Sequence, residues 1–456
     1  MKIAIILAAG EGKRMKSKKP KVLHEVAGKT VLSYVVDLCT GAQMDKTIVI
    51  VGHGEDQVRA RFEEEPVEFI SQPVGEGKPY GTGYAVSIAA DEFEDDDQVL
   101  ILTGDTPLFT QETIDDFLEF VAEKKLEGCV LTAMVSHPFG YGRIIRGANS
   151  NVVAIVEERD ATDKEKAITE VNTGIFAFTG RALHSTLNRL ETENSQNELY
   201  LTDVVKLLVQ EGHQIGAYTI GDEEEMLGIN SRVQLAKTQA VMRRRINESF
   251  MEEGVTITHP EIAQVDYGAK IGRDTIIEGP VHIDGDTVIG EDVYIRGDSR
   301  ISGSKIGDHV VIESSVIESS TVEEGASIGP FAHLRPNAHL GKNVHIGNFV
   351  EVKNSVVGEN TKAGHLAYIG DGEVGRGVNI GCGVIFANYN GKEKFRTVVH
   401  DHAFIGSNVN LVAPMEVGEG SYIAAGSTIT KAVDAGDLAV ERSVQKNIPG
   451  WKKKQK

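Results

Sequence analysis

The sequence predicts two fold types in one chain: an α/β unit built on a mostly parallel, doubly wound sheet, and then a parallel β-helix. Three observations carry this. Up to about Gly228, short apolar runs alternate with segments of helical spacing. From Ser231 to Glu253 neither Gly nor Pro interrupts a helical run. Beyond Gly254, aliphatic residues recur at every sixth position. The expected organisation is therefore an α/β domain over 1–228, a linker helix over 229–253 and a β-helix with a C-terminal tail over 254–456.

In the first unit, Ile3–Leu7, Thr47–Val51 and Val99–Leu102 suit strands buried on both faces, with helices over Val31–Leu38 and Gly83–Ala90 between them. Such alternation places ligands beyond the carboxyl ends of the strands. Later strands, Cys129–Val135, Val152–Val156 and Gly174–Phe178, are expected to run in mixed directions. Ser231 is a plausible N-cap for the long helix and Gly254 its stop. Arg243-Arg244-Arg245 reads as a solvated face of that helix.

The six-residue period runs through Ile271, Ile277, Ile283, Ile289, Ile295 and Ile301, resumes from Ile328 to Val352, and resumes again from Ile405 to Ile429. A period of six fits neither an α-helix nor a hairpin series. It fits a coil in which each hexapeptide forms one flat face and a turn, with the repeated aliphatic side chain stacked inward. The phase slips by one residue near Ile306, Ile317 and Val322. The stretch Ala387–Phe404 breaks the period and is expected to project as a loop.

Composition narrows the function. The 456 residues carry 47 Lys and Arg against 67 Asp and Glu, a net charge of −20, which excludes a polycation gripping nucleic acid. Three separated cysteines indicate neither a disulfide framework nor a zinc ribbon. The short apolar run at the N-terminus feeds a charged glycine-rich loop and lacks a cleavage site, and no segment has the length of a membrane span, so the expected address is the cytoplasm.

Leu7-Ala8-Ala9-Gly10-Glu11-Gly12-Lys13-Arg14-Met15 follows the first strand, with six cations between Lys13 and Lys21. Small residues let backbone N–H groups approach a phosphate, and the cations neutralise it. It is neither a dinucleotide fingerprint, which needs glycine at Met15, nor a Walker A loop. Further on, an apolar strand ends in Asp105, where an open α/β sheet presents a metal-binding carboxylate.

The opening motif, followed by Pro20-Lys21, resembles that of the sugar-nucleotide pyrophosphorylases, with Lys13 in place of their threonine. The resemblance implies a Rossmann-like nucleotidyltransferase domain that binds UDP-N-acetylglucosamine through Leu7, Ala8, Ala9, Gly10, Lys21, Gln72, Gly81, Thr82, Gly142, Glu157, Asn172 and Asn230. It also implies Mg²⁺ on Asp105 and Asn230, with Arg14 and Lys21 as catalytic cations. Gln72 would meet the uracil, although the stretch Pro73–Tyr80 before Gly81 is longer than the family spacing.

In the repeat region His333, His339 and His345 each precede an inward aliphatic and read as outward residues, whereas His365 follows the slot in Ala363-Gly364-His365. With its neighbours it resembles the acetyltransferase half of the bifunctional bacterial enzymes of UDP-N-acetylglucosamine synthesis. That resemblance spans the whole chain. It implies a left-handed β-helix with His365 as general base. Arg335, Lys353, Tyr368 and Asn379 would hold glucosamine-1-phosphate, and Cys382, Asn388, Tyr389, Ser407, Ala425 and Arg442 would hold acetyl-CoA. Cys382 stands where the family usually has alanine. The resemblance further implies a homotrimer, and a second reaction in which N-acetylglucosamine-1-phosphate takes UMP from UTP. The competing readings are a monofunctional sugar-1-phosphate nucleotidyltransferase with a regulatory β-helix, and a β-helix that only trimerises the chain.

Overall fold

The structure, a computed structural model, describes residues 1–75, 77–147 and 150–451. It forms two compact units, Met1–Met242 and a second beginning at Arg243.

In the first unit nine strands make one sheet, in the order Glu68–Ser71, Lys46–Val51, Lys2–Leu7, Gln98–Thr103, Glu170–Thr179, Gly128–Met134, Ile215–Thr219, Val152–Val156 and Arg143–Arg146. Side chains alternate across Lys2–Leu7. Ile3 and Ile5 enter one core with Val86, Leu183 and Val204, while Ala4 and Ile6 enter the other with Leu32, Val35 and Phe117. Burial on both faces explains why this strand reads as an unbroken apolar run. Lys2–Leu7 pairs in parallel with both Lys46–Val51 and Gln98–Thr103, so the three strands end at one edge of the sheet. The later strands mix directions, as expected: Glu170–Thr179 is antiparallel to Gln98–Thr103 and to Gly128–Met134, while Ile215–Thr219 is parallel to Gly128–Met134. The helix expected over Gly83–Ala90 stops at Ser87 and passes into a 3₁₀ turn, Ala90–Glu92.

The long helix runs from Arg232 to Glu252. The Ser231 hydroxyl accepts from the Gln234 N–H at 3.3 Å. Gly254, at φ +97, ends the helix in a conformation a side chain would strain. The arginine run is not simply solvated: Arg243 is half-buried and lies 3.6 Å from the Asp266 carboxylate.

Three parallel sheets of eleven, ten and nine strands build the second unit. The six-residue slots become vertical ladders. Ile277, Ile295, Ile312, Ile328 and Ile346 stack in one sheet. Ile283, Ile301, Ile317, Leu334, Val352 and Ile369 stack in the next. Ile271, Ile289, Ile306, Val322, Leu340 and Val357 stack in the third. All belong to one continuous core. The phase slips are coils shortened at their corners, and the ladder stays in register through them. The projecting segment is shorter than expected. Thr397–Val399 rejoins the nine-stranded sheet between Gly372–Val374 and Met415–Val417, leaving residues 388–396 outside the coil.

Candidate functional site

Each unit gathers its own constellation. In the first, the loop after Lys2–Leu7 and the turn after Gln98–Thr103 meet at the carboxyl edge of the sheet, joined by the Gly104 N–H donating to the Leu7 carbonyl at 2.9 Å. Gly12 adopts φ +63, and a Cβ there would come within 3.0 Å of the Lys21 Cβ, so glycine lets the Lys21 stem pass beneath the loop. Met15, buried to 2% exposure, anchors the following 3₁₀ turn. Lys21 reaches inward, with Nζ 2.6 Å from Asp105 Oδ2 and donating to Asn230 Oδ1 at 3.0 Å. The Ile229 N–H donates to the Asp105 carbonyl at 2.9 Å, which holds Asn230 beside that carboxylate. Two hard oxygens thus converge on one cationic group.

These groups open onto a cavity of about 830 Å³ lined by Ala9, Gly10, Arg14, Lys21 and Asn230 among others. Space beside Gly10 is free, with nothing within 4 Å of a Cβ built there, so a ligand can come close to the backbone on that side. Gln72 is buried and is not part of this lining, whereas residues of the stretch after it, from Pro73 to Tyr80, are. Gly81 and Thr82 are committed to packing: a Cβ on Gly81 would strike the Leu199 carbonyl at 2.3 Å, and the Thr82 hydroxyl accepts from the Leu201 N–H at 3.0 Å.

Gly142, Glu157 and Asn172 form a second group. The Asn172 N–H donates to the Gly142 carbonyl at 2.9 Å, and a Cβ on Gly142 would lie 3.4 Å from Glu157 Oε1. Asn172 Oδ1 accepts from the Gly174 N–H at 2.9 Å, at the register break of Glu170–Thr179. Burial pushes the Glu157 carboxyl up from its ordinary range, and Asp160, Asp203 and Glu198 push it the same way. Tyr141, beside Gly142, is raised by burial and then by the Asp105 carboxylate, which ties this group electrostatically to the first.

In the second unit His365 ends the strand Lys362–His365 and Tyr368 begins the strand Tyr368–Gly370, on either side of one corner. The His365 Nδ1 lies 2.6 Å from Asn348 Oδ1, its register partner one coil earlier. An amide oxygen only accepts, so Nδ1 is the donor in this pair, and a ring carrying that single proton has its lone pair at Nε2. His365 is exposed.

Around the corner, Arg335 Nη1 contacts Glu351 Oε1 at 2.8 Å. Lys353 is lowered from the usual lysine range chiefly by the Lys394 ammonium beside it, with Arg335 adding to the effect. Lys394 comes from the projecting segment, where Tyr389 and Lys394 bridge antiparallel. Asn388 Nδ2 donates to Asp371 Oδ2 at 2.5 Å. Gly370 leaves room for this packing, since a Cβ there would meet the Tyr368 hydroxyl at 2.4 Å and Asn388 Nδ2 at 2.8 Å. Asn379 is the register partner of Lys362. Cys382, Ser407 and Ala425 climb one corner on successive coils: a Cβ on Gly381 would lie 2.6 Å from the Ser407 N, and one on Gly406 2.6 Å from the Ala425 N. Arg442 Nη1 donates to the Ala425 carbonyl at 3.1 Å.

Sequence reading did not single out Asn348, Asp371 or Lys394. Asn348 and Lys394 show themselves only once the register between coils is known, although the position of Asn348 in the slot pattern could have paired it with His365.

The family of MobA-like NTP transferase domains matches residues 4–194, and the six-repeat bacterial transferase hexapeptide family matches 319–354 and 396–431. A protein named bifunctional protein GlmU from Clostridioides difficile is 47% identical over 455 residues, covering 99% of this chain and 98% of its own. One of that name from Alkaliphilus oremlandii is 48% identical over 451 residues, again 99% and 98%, and one from Levilactobacillus brevis is 45% identical, covering 99% and 97%. These likenesses run through both halves, which leaves no place for a monofunctional reading. A nucleotidyltransferase unit followed by a left-handed β-helix of hexapeptide repeats, matched end to end by such relatives, places the chain in the GlmU family of bifunctional enzymes.

Proposed function

We propose that the enzyme acetylates glucosamine-1-phosphate with acetyl-CoA at His365, then transfers UMP from UTP to the resulting N-acetylglucosamine-1-phosphate at the carboxyl edge of the α/β sheet. The observation that carries this is the polarised imidazole: Nδ1 of His365 is committed to Asn348, so Nε2 is left to take a proton.

In the first reaction Nε2 takes a proton from the sugar 2-amine as that nitrogen attacks the acetyl carbonyl; the C–N bond forms, the C–S bond breaks and CoA leaves as thiolate. Arg335, Lys353, Tyr368 and Asn379 would hold the sugar phosphate, with Lys394 adding charge beside Lys353. The corner ladder of Cys382, Ser407 and Ala425, with Asn388, Tyr389 and Arg442, would hold acetyl-CoA.

In the second reaction a sugar-phosphate oxygen attacks the α-phosphorus of UTP and pyrophosphate leaves. A phosphate monoester is already ionised near neutrality, so positioning and charge neutralisation suffice. The backbone of Leu7–Gly10 would receive phosphate, Arg14 and Lys21 would neutralise it, and Gln72, Gly81, Thr82, Gly142, Glu157 and Asn172 would position base and sugar. The oxygens of Asp105 and Asn230 fit Mg²⁺, since they already share one cation, Lys21. With only these two protein oxygens, the ion would be completed by water and substrate phosphates. When bound, Mg²⁺ supplies charge neutralisation at the phosphates.

We further infer a homotrimer in the cytoplasm. No helix among the described residues is long and apolar enough to cross a membrane. The test is a coupled assay of the purified chain with glucosamine-1-phosphate, acetyl-CoA, UTP and Mg²⁺, omitting one component at a time. UDP-N-acetylglucosamine should form only in the complete mixture; its formation without acetyl-CoA would overturn the reading.

A further inference from the structure

The nucleotide cavity holds a cation that none of the family motifs accounts for. Four cationic side chains line it: Lys13, Arg14, Lys21 and Lys78. Two are already matched, Lys13 with Glu11 at 2.8 Å and Lys21 with Asp105 at 2.6 Å. Among the described residues neither Arg14 nor Lys78 has an acidic partner. Two cations of the wall unmatched among the described residues suit an anion that arrives with the ligand.

Lys78 belongs to the stretch between Gln72 and Gly81 that exceeds the family spacing, so it adds to the phosphate-binding set and does not replace a member of it. The far end of that stretch is fixed. The Tyr80 carbonyl accepts from the Leu199 N–H at 2.8 Å, and the Gly83 N–H donates to the Leu199 carbonyl at 2.8 Å. Tyr80 also faces the Glu11–Lys13 pair of the glycine-rich loop, and both charges act on its hydroxyl. Lys78 stands two residues before this anchor, and its own N–H donates to the Gly75 carbonyl at 3.3 Å in a turn. Lys78 is therefore carried on a tethered segment that lines the same cavity as Arg14.

We propose that Lys78 binds the phosphate chain of the incoming nucleoside triphosphate and the pyrophosphate that leaves. This rests on the uridylyl-transfer reading of the same cavity. Lys21 is held against Asp105 and Asn230, and Arg14 and Lys78 would add to its charge at the outer phosphates. A point charge on a flexible stem suits an oxygen cluster that changes shape as the P–O bond breaks.

The test compares Lys78→Ala and Lys78→Arg with the parent enzyme. Lys78→Ala should raise KM for UTP, and for pyrophosphate in the reverse direction, by about tenfold or more, the scale of one hydrogen bond to a charged group. KM for N-acetylglucosamine-1-phosphate should stay within about twofold, and Lys78→Arg should restore most of the loss. The unchanged KM for N-acetylglucosamine-1-phosphate, read in the same unit, serves as the folding control. Unchanged KM for both UTP and pyrophosphate, or an equal rise for the sugar phosphate, would overturn the proposal. Calorimetric titration of the same proteins with inorganic tripolyphosphate separates the two levels of inference. Weaker tripolyphosphate binding by Lys78→Ala supports the phosphate role even if UTP proves not to be the substrate, and unaltered binding defeats it even if UTP is.

Discussion

The two units solve the same problem, bringing distant residues together, by opposite means. In the α/β unit Lys21, Asp105 and Asn230 lie 84 and 209 residues apart from the lysine outward, and they meet because parallel strands end at one edge of a sheet. In the β-helix His365 meets Asn348 across only 17 residues, because one turn of the coil returns the chain to the same position. The first site depends on the closure of a whole sheet, the second on the register of two or three coils. Lesions should therefore separate cleanly between the activities.

The largest expected effect tests that separation from the β-helix side. His365→Ala removes the proposed base and should cut acetyl transfer by about 10³-fold, within the range of general-base catalysis, while uridylyl transfer from supplied N-acetylglucosamine-1-phosphate stays intact. Retained acetyl transfer would sink the role of the imidazole. Asp105→Ala is the mirror experiment. It removes one of two oxygens facing Lys21 and should reduce uridylyl transfer by about 10²- to 10³-fold, the scale of losing one electrostatic contact to the reacting phosphates, with acetyl transfer unchanged. A fall in both rates together would mean the units are coupled, and the comparison would fail.

A core lesion probes the same contrast through stability. Leu340 is wholly buried and stacks between Val322 and Val357 on neighbouring coils. Leu340→Ala should cost roughly 2–5 kcal/mol. Because each coil contacts chiefly its neighbours, the loss should appear in the unfolding of the β-helix by calorimetry, with uridylyl transfer unaffected at temperatures below that transition. A loss of uridylyl transfer in step with it would show that the two halves unfold as one.

Legibility in the sequence followed the same division. The ladder was readable because every sixth side chain must enter a narrow core, leaving a strict period on the page from Ile271 onward. Thr397–Val399 was missed because the segment 388–396 lengthens the step from Val374 to Val399 to 25 residues, against 18 from Val399 to Val417, and so shifts Val399 out of phase with its ladder neighbour. Asn348 and Lys394 were missed for a related reason: each becomes relevant only through its partner on another coil, and no local motif marks it. In the α/β unit, the glycine-rich loop and Asp105 stood out because strand ends carry a local signature. The burial of Gln72 and the presence of Lys78 in the cavity wall depend on how loop 73–80 returns, which spacing alone does not specify.

The smallest effect is the most diagnostic of the coil mechanism. If Asn348 acts by holding the proton on Nδ1, then Asn348→Ala leaves His365 in place and still basic but free to adopt either tautomer and to rotate. The expected loss is about tenfold in kcat for acetyl transfer, the worth of one modest hydrogen bond, with KM for acetyl-CoA little changed because Asn348 is not part of the CoA corner. Asn348→Asp should behave differently. A carboxylate also accepts from Nδ1 and keeps the tautomer, yet it favours the charged imidazolium, so the acid limb of the pH–rate profile should move to higher pH. A profile that moves for the aspartate variant, beside a kcat that falls for the alanine variant, marks a positioning residue. Two variants with equal losses and superimposable pH profiles would reduce Asn348 to a packing contact.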